Sequence, residues 1–204
     1  MPIAIDFGTR AIHLVQGTAK KNQVIVKKAV IESVPSGLYQ DGIIREFGGM
    51  ELTLKNMLQK HAIKEKSSIV TINGNHIFTR ELVVPRGKPR IMDDVVKFEL
   101  QSAMNMNKEM AVSYIVSKLP VADQPEMVNV RATAIQLEYV NDYHKLLKSC
   151  KLKPTALDIH PNALLKLISG VKINDQPVDG NGSIMLITHD LGVVAGMADR
   201  IVVM

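Results

Sequence analysis

The sequence predicts an α/β protein whose main lobe is interrupted by a smaller α+β unit. Three observations carry this reading. The chain opens with three β-rich runs and then switches to a helical period, the alternation expected of a sheet covered by helices. Near residue 78 the pattern starts afresh as strand, helix, two strands and helix. Strand and helix then alternate once more from "TALDI" onward. The expected division is residues 1–77 plus 153–204 for the main lobe, with 78–152 as the insert.

Each element follows from its local pattern. "IAIDF", "AIHLVQG" and "QVIVKKAVIESV" are short β-rich runs separated by turn or polar residues, which predicts a three-stranded meander. In "MELTLKNMLQKHAI" the period changes: Met50, Leu54, Met57, Leu58 and His61 share one helical face, with His61 expected as a partly buried residue at the core edge. "SIVTIN" and "HIFTRELVVP" read as strands. "IMDDVVKFELQSAM" places Met92, Val95, Val96, Leu100 and Ala103 on one stripe. Asp93 and Asp94 fall in its first turn, where the helix dipole favours negative charge, so capping explains the pair better than a metal does.

Two strands, "AVSYIVSKL" and "MVNVRATAIQ", precede the helix "LEYVNDYHKLLKSC", whose Tyr139, Val140, Tyr143, Leu146, Leu147 and Cys150 form a stripe. "TALDI" is then a strand, and "PNALLKLI" a helix with Pro161 early in its first turn. "INDQPVDGNG" reads as a polar loop. The end, "SIMLITHDLGVVAGMADRIVVM", reads as a strand, a turn at Asp190-Leu191-Gly192 and a hairpin.

Composition narrows the function classes. With 46% apolar residues the 204-residue chain can build a proper core. No apolar run approaches the roughly 18 residues of a membrane span, and the start lacks a signal-peptide pattern. Cys150 is the lone cysteine, which rules out an internal disulfide and makes the cytoplasm the expected compartment. The net charge of +5 is scattered over the sequence, and four Phe, four Tyr and no Trp offer little to stack bases on, so nucleic acid is not an expected partner. Only "PRGKPR" concentrates charge in a stiff connection, making Arg86, Lys88 and Arg90 candidate partner contacts.

The turn after the first strand brings together Asp6, Gly8 and Thr9. A glycine there lets backbone N–H groups approach a phosphate closely, and a carboxylate beside it suits a metal or a water. Ordinary turn chemistry gives the same residues. The second Asp-x-Gly, at Asp190 and Gly192, echoes the first and suggests a pair of facing phosphate loops.

Together "IAIDFGTRAIHLVQG", "GLYQDGII", "SIVTINGNHIFTRELVVP", "DDVVKFELQSAM" and "VNDYHKLLKSCKLKPTALDIHPNALLKLI" resemble the PilM family of type IV pilus assembly proteins, within the actin-like ATPase superfamily. The bacterial cell-division actin homologue FtsA is similar at greater distance. The resemblance runs over roughly residues 3–169, with five segments in order. It implies an actin-like (ribonuclease H-like) first lobe carrying an inserted α+β recognition subdomain. ATP and Mg²⁺ would lie between two lobes, with Asp6, Gly8, Thr9 and Arg10 on the first phosphate loop and Asp190 and Gly192 on the second. Asp6 and Asp190 would face the Mg²⁺, and His13 stands where the superfamily often has lysine.

The implied function is a cytoplasmic adaptor, peripheral at the inner membrane through partners, that binds the short cytoplasmic tail of an inner-membrane pilus protein and is at most a weak ATPase. Pilus motor ATPases and further copies of the chain are additional expected partners. An FtsA-like division tether would use a C-terminal amphipathic membrane helix, and a sugar kinase a substrate-side base; neither is seen. The chain departs from the family in "MNMNKEM", where PilM often has a Pro-Phe segment. It stops at Met204, before most of the second lobe, so half a nucleotide site is expected. "ITHDLGVVAGMADRIVVM" also resembles the switch-histidine stretch of peptide-transporter ABC ATPases around His189. With no GxxxxGK[ST] and no LSGGQ-type signature, a composite ending is expected.

Overall fold

The computed structural model describes residues 2–20, 23–104, 109–168, 172–173 and 176–177. The chain divides into two compact units, Met1–Asn75 with Asp142–Met204, and His76–Asn141.

The first unit opens with the meander: β1 (Ile3–Phe7), β2 (Ala11–Lys20) and β3 (Gln23–Ser33) pair antiparallel in sequence order. Alternation does the work, since Ile3, Ile5 and Phe7 are buried while Ala4 points to solvent. Two short strands, β4 (Tyr39–Gln40) and β5 (Ile43–Ile44), follow. Their two-residue connection has positive φ at both Asp41 and Gly42, the pattern that matches strand twist in a tight hairpin. Helix α1 (Phe47–Lys60) starts three residues before the expected Met50, because the Glu46 carboxylate accepts the Gly48 N–H at 3.0 Å and the Gly49 N–H at 2.5 Å. It buries Met50, Leu54, Met57 and Leu58. His61 is partly buried as expected, with Nε2 2.5 Å from Glu32 Oε1. Strand β6 (Ser67–Ile72) then runs parallel to β1.

In the second unit β7 (Phe78–Pro85), α2 (Pro89–Met104), β8 (Met110–Pro120) and β9 (Met127–Gln136) form an antiparallel sheet, order β7-β9-β8, beside one helix. Every second residue of β9 from Val128 to Ala134 is buried against Met92, Val96 and Leu100 of α2, with Val84 and Met110 completing the core. Asp93 accepts the Tyr114 hydroxyl at 2.9 Å, tying helix to sheet.

Helix α3 (Leu137–Ser149) crosses the boundary, so the first unit resumes at Asp142 where the sequence reading placed its return at residue 153. Burial explains the difference: Tyr143, Leu146 and Leu147 sink into the first unit's core, with the Tyr143 ring 5.6 Å from Phe7. Strand β10 (Lys153–Ile159) adds parallel to β6, giving a five-stranded sheet in the order β10-β6-β1-β2-β3. Helix α4 (His160–Ile168) follows directly. Two short paired strands, β11 (Lys172–Ile173) and β12 (Gln176–Pro177), fall where the sequence predicts a polar loop. The strand, Asp-x-Gly turn and hairpin expected over 183–204, including His189, Asp190 and Gly192, lie outside the described residues. Among the described residues no helix is long and apolar enough to cross a membrane.

Candidate functional site at the carboxyl ends of the parallel strands

Strands β1, β6 and β10 run in one direction, so their carboxyl ends share one edge of the first unit's sheet. Ligands of open α/β sheets bind at such an edge, where the chain leaves the strands for loops and helix N-termini. Register places His13, Asp6, Thr71 and Asp158 side by side across β2, β1, β6 and β10. The alternation that buries Ile5 and Phe7 on one face leaves Asp6 on the other.

Asp6 is the centre of this row. His160, the first residue of α4, brings Nε2 to 2.6 Å from Asp6 Oδ1, and the Thr71 hydroxyl donates to the same oxygen at 3.1 Å. His13 Nδ1 stands 3.3 Å from Oδ2. Burial pushes the Asp6 carboxyl up, but the His160 hydrogen bond and charge, the Thr71 hydroxyl and the His13 charge outweigh it and hold the group below the usual carboxylate range. Asp158 behaves alike. Burial raises it, while the Lys166 ammonium (2.5 Å), the Ile159 N–H (2.9 Å) and the Asn162 amide (3.1 Å) bring it down.

The expected phosphate loop is a tight turn. Gly8 donates its N–H to the Ala11 carbonyl at 3.0 Å, and a Cβ at Gly8 would stand 3.0 Å from that same oxygen, so glycine is needed for the turn itself. Thr9 and Arg10 are exposed, and the Arg10 carbonyl accepts the Val34 N–H at 2.9 Å, which anchors the loop to the end of β3. Of the sequence candidates, Asp6, Gly8, Thr9, Arg10 and His13 thus gather at one edge. Arg86, Lys88 and Arg90 are exposed in the second unit, with the Arg86 N–H bonded to the Glu126 carbonyl at 2.7 Å. Sequence reasoning missed Thr71, Asp158 and His160. A signal was there: each polar residue follows an apolar run at a strand's carboxyl end, in "SIVTIN" and "TALDIH".

The donors present suit an anionic group, since Thr9 and Arg10 are exposed on the turn and His13 stands beside Asp6 on the neighbouring strand. Asp6 is ionised and partly exposed, as a carboxylate ligand of Mg²⁺ must be. Among the described residues no three His, Cys, Asp or Glu side chains come together so as to hold a metal ion by themselves.

The model of the type IV pilus assembly protein PilM family matches residues 4–195. The chain belongs to the PilM family. A solved PilM–PilN type IV pilus biogenesis complex contains a chain similar to it in fold, with a TM-score of 0.73 at 20% identity. That match covers 82% of this chain and 50% of the other, so the chain spans half the length of the PilM-complex chain it resembles. The cytoplasmic domain of EpsL, an inner membrane component of the type II secretion system of Vibrio cholerae, matches with a TM-score of 0.49 and 12% identity, covering 79% of this chain and 58% of that one. No curated protein matches the sequence significantly. The fold is actin-like, as the resemblance of the sequence segments implied. Within this PilM-family chain Asp6, Gly8, Thr9 and Arg10 lie at the carboxyl end of β1 and in the turn that follows it.

Proposed function

We propose that the chain is an actin-like scaffold of the type IV pilus assembly machine, holding the short cytoplasmic tail of an inner-membrane pilus protein and so acting at the cytoplasmic face of that membrane. The observation that carries this reading is the family match over residues 4–195, which extends across both compact units. That the similar solved structure is a PilM–PilN complex supports a pilus-biogenesis protein as the class of partner. Extended tails of this kind bind through backbone hydrogen bonds and a few side-chain pockets, so affinity depends on a preformed surface more than on net charge.

The Asp6 edge fits ATP as the small ligand of the same scaffold. Thr9, Arg10 and His13 would orient the phosphates, and Asp6, held in place by Thr71 and His160, would hold Mg²⁺ together with the nucleotide's own oxygens. Bound there, the ion offsets the charge of the phosphate chain. The test of the scaffold reading is a titration by fluorescence anisotropy. The cytoplasmic tail peptide of the pilus inner-membrane partner is expected to bind saturably, and the tail of the tubulin-like division protein is not. Preference for the division tail would replace the pilus reading with that of an FtsA-like tether.

A further inference from the structure

At the opposite end of the first unit's sheet lies a groove of about 500 Å³. Leu58, Ile63, Cys150 and Leu152 line it, three of them buried, and Lys64, Lys66 and Lys151 stand exposed around them. We propose that this groove binds an acidic, partly apolar peptide segment of a partner protein, at a site that shares no residue with the Asp6 edge or with the exposed Arg86, Lys88 and Arg90.

The local fold builds the recess. Helices α1 and α3 are each followed by a residue in the left-handed region, Ala62 at φ 51° and Lys151 at φ 61°, which turn the chain sharply toward the starts of β6 and β10. Those turns set the lysines at the mouth and leave the apolar side chains as the floor. The cations are uncompensated: among the described residues Lys64, Lys66 and Lys151 have no carboxylate within ion-pair distance. Lys55 also lines the groove but is paired with Glu51 at 2.6 Å. The groove's own acid, Glu65, is turned to Gln16, whose amide nitrogen lies 2.5 Å from its carboxylate.

Lysines beyond a helix end also offset the helix dipole, but that effect fades within the last turn and calls for no recess with an apolar floor. The volume is of the size that holds a ligand, in the range of about 300–1,000 Å³. A recess of this shape does not admit a flat bilayer, the apolar floor gives inorganic phosphate nothing to bury, and a second copy of a chain with net charge +5 meets like charge. An acidic peptide with apolar side chains satisfies floor and rim together.

The test uses a fluorescein-labelled decapeptide of alternating glutamate and leucine, titrated against the protein by anisotropy. Saturable binding is expected, weakened at least tenfold when glutamate is replaced by lysine or leucine by serine in the peptide. The variant Lys64→Glu/Lys66→Glu/Lys151→Glu should lose at least tenfold in affinity with its melting temperature unchanged. A control with the same change in charge elsewhere, Lys27→Glu/Arg80→Glu/Lys97→Glu, should keep the wild-type affinity. Absence of saturable binding, equal losses in both triple variants, or displacement of the peptide by inorganic phosphate or phosphatidylserine vesicles at lower concentration than by unlabelled peptide would overturn the proposal.

Discussion

Tyr143 joins the helix that returns from the insert to the first unit, and its removal has a cost that the hydrogen-bond geometry makes asymmetric. Its hydroxyl donates to the Gly42 carbonyl at 2.7 Å, which leaves the Tyr39 hydroxyl, 2.8 Å away, as the donor to the Tyr143 oxygen. Tyr143→Phe therefore strands two buried groups at once, the Gly42 carbonyl and the Tyr39 O–H. Leaving a buried polar group without a partner costs about 1–3 kcal/mol, so the two together should cost the variant about 2–6 kcal/mol with no cavity formed. Tyr39→Phe strands nothing, because Tyr143 still donates to Gly42 and loses only one incoming bond. Its cost should be about 0.5–1.5 kcal/mol, the net worth of one neutral hydrogen bond.

Burial raises both phenols well above their ordinary value, so both stay protonated and the asymmetry holds across the workable pH range. Urea unfolding with unchanged slope would give these differences directly. In thermal melts a chain of this size shifts by roughly 2–4 °C per kcal/mol, so Tyr143→Phe should fall on the order of 10 °C and Tyr39→Phe a few degrees. The double variant should cost less than the sum, since with Tyr39 gone only the Gly42 carbonyl remains stranded. A Tyr39→Phe loss as large as that of Tyr143→Phe, or strict additivity, would refute the assigned direction of the bonds.

Three further outcomes are expected. Asp6→Asn should weaken binding of a fluorescent ATP analogue with Mg²⁺ at least tenfold, while His13→Lys, which supplies a permanent cation, should strengthen it; unchanged affinity in both would remove the nucleotide from this edge. Because Asp6 and Asp158 are held below the ordinary value of 3.8, the folded chain binds fewer protons than the unfolded one just below that value. Their contribution is thus present above about pH 4–5 and lost as pH falls through the lower folded values, so melting temperature should drop on acidification and Asp6→Asn/Asp158→Asn should flatten that slope. Arg86→Ala/Lys88→Ala/Arg90→Ala should change stability by no more than about 0.5 kcal/mol, since all three are exposed, yet weaken pilus-tail binding in a salt-dependent way. Salt-independent wild-type affinity in that variant would leave the loop a solvated connection.

What the sequence made legible was whatever depends on local period. The alternation in "IAIDF" and "MVNVRATAIQ" and the stripes of Met50, Leu54 and Met57 and of Val96 and Leu100 specify elements whose buried residues are those expected. Cap and turn chemistry was harder to read. Gly48 and Gly49 conceal the first turn of α1 because intrinsic propensity counts against them, and only the Glu46 carboxylate reveals why the helix begins there. The end of the insert was misplaced because the stripe of α3 is continuous, while the partners of its two halves are set by long-range packing: Tyr143 meets Phe7, Tyr39 and Gly42, over a hundred residues earlier in the chain. The site was half legible. Asp6 and His13 sit on one hairpin, but Thr71 and His160 reach Asp6 only through the parallel register of β1, β6 and β10, which no local pattern encodes.

That register also bears on what the edge can do. A general base works best with a pKa near the operating pH, and Asp6 lies on the far side of its ordinary value from that optimum. One of its oxygens already accepts from the Thr71 hydroxyl and lies within hydrogen-bond distance of the His160 ring, while His13 stands beside the other. A carboxylate so engaged is a weak proton acceptor and a well-oriented anion. It positions imidazoles, and through them or directly a cation, more readily than it activates a water. The chemistry of this edge therefore suits holding the proposed nucleotide better than turning it over, which is the behaviour the proposed scaffold needs if a bound nucleotide is to report a state. Steady-state release of phosphate from ATP well above background, abolished by Asp6→Asn, would refute this assignment and make the edge a catalytic one.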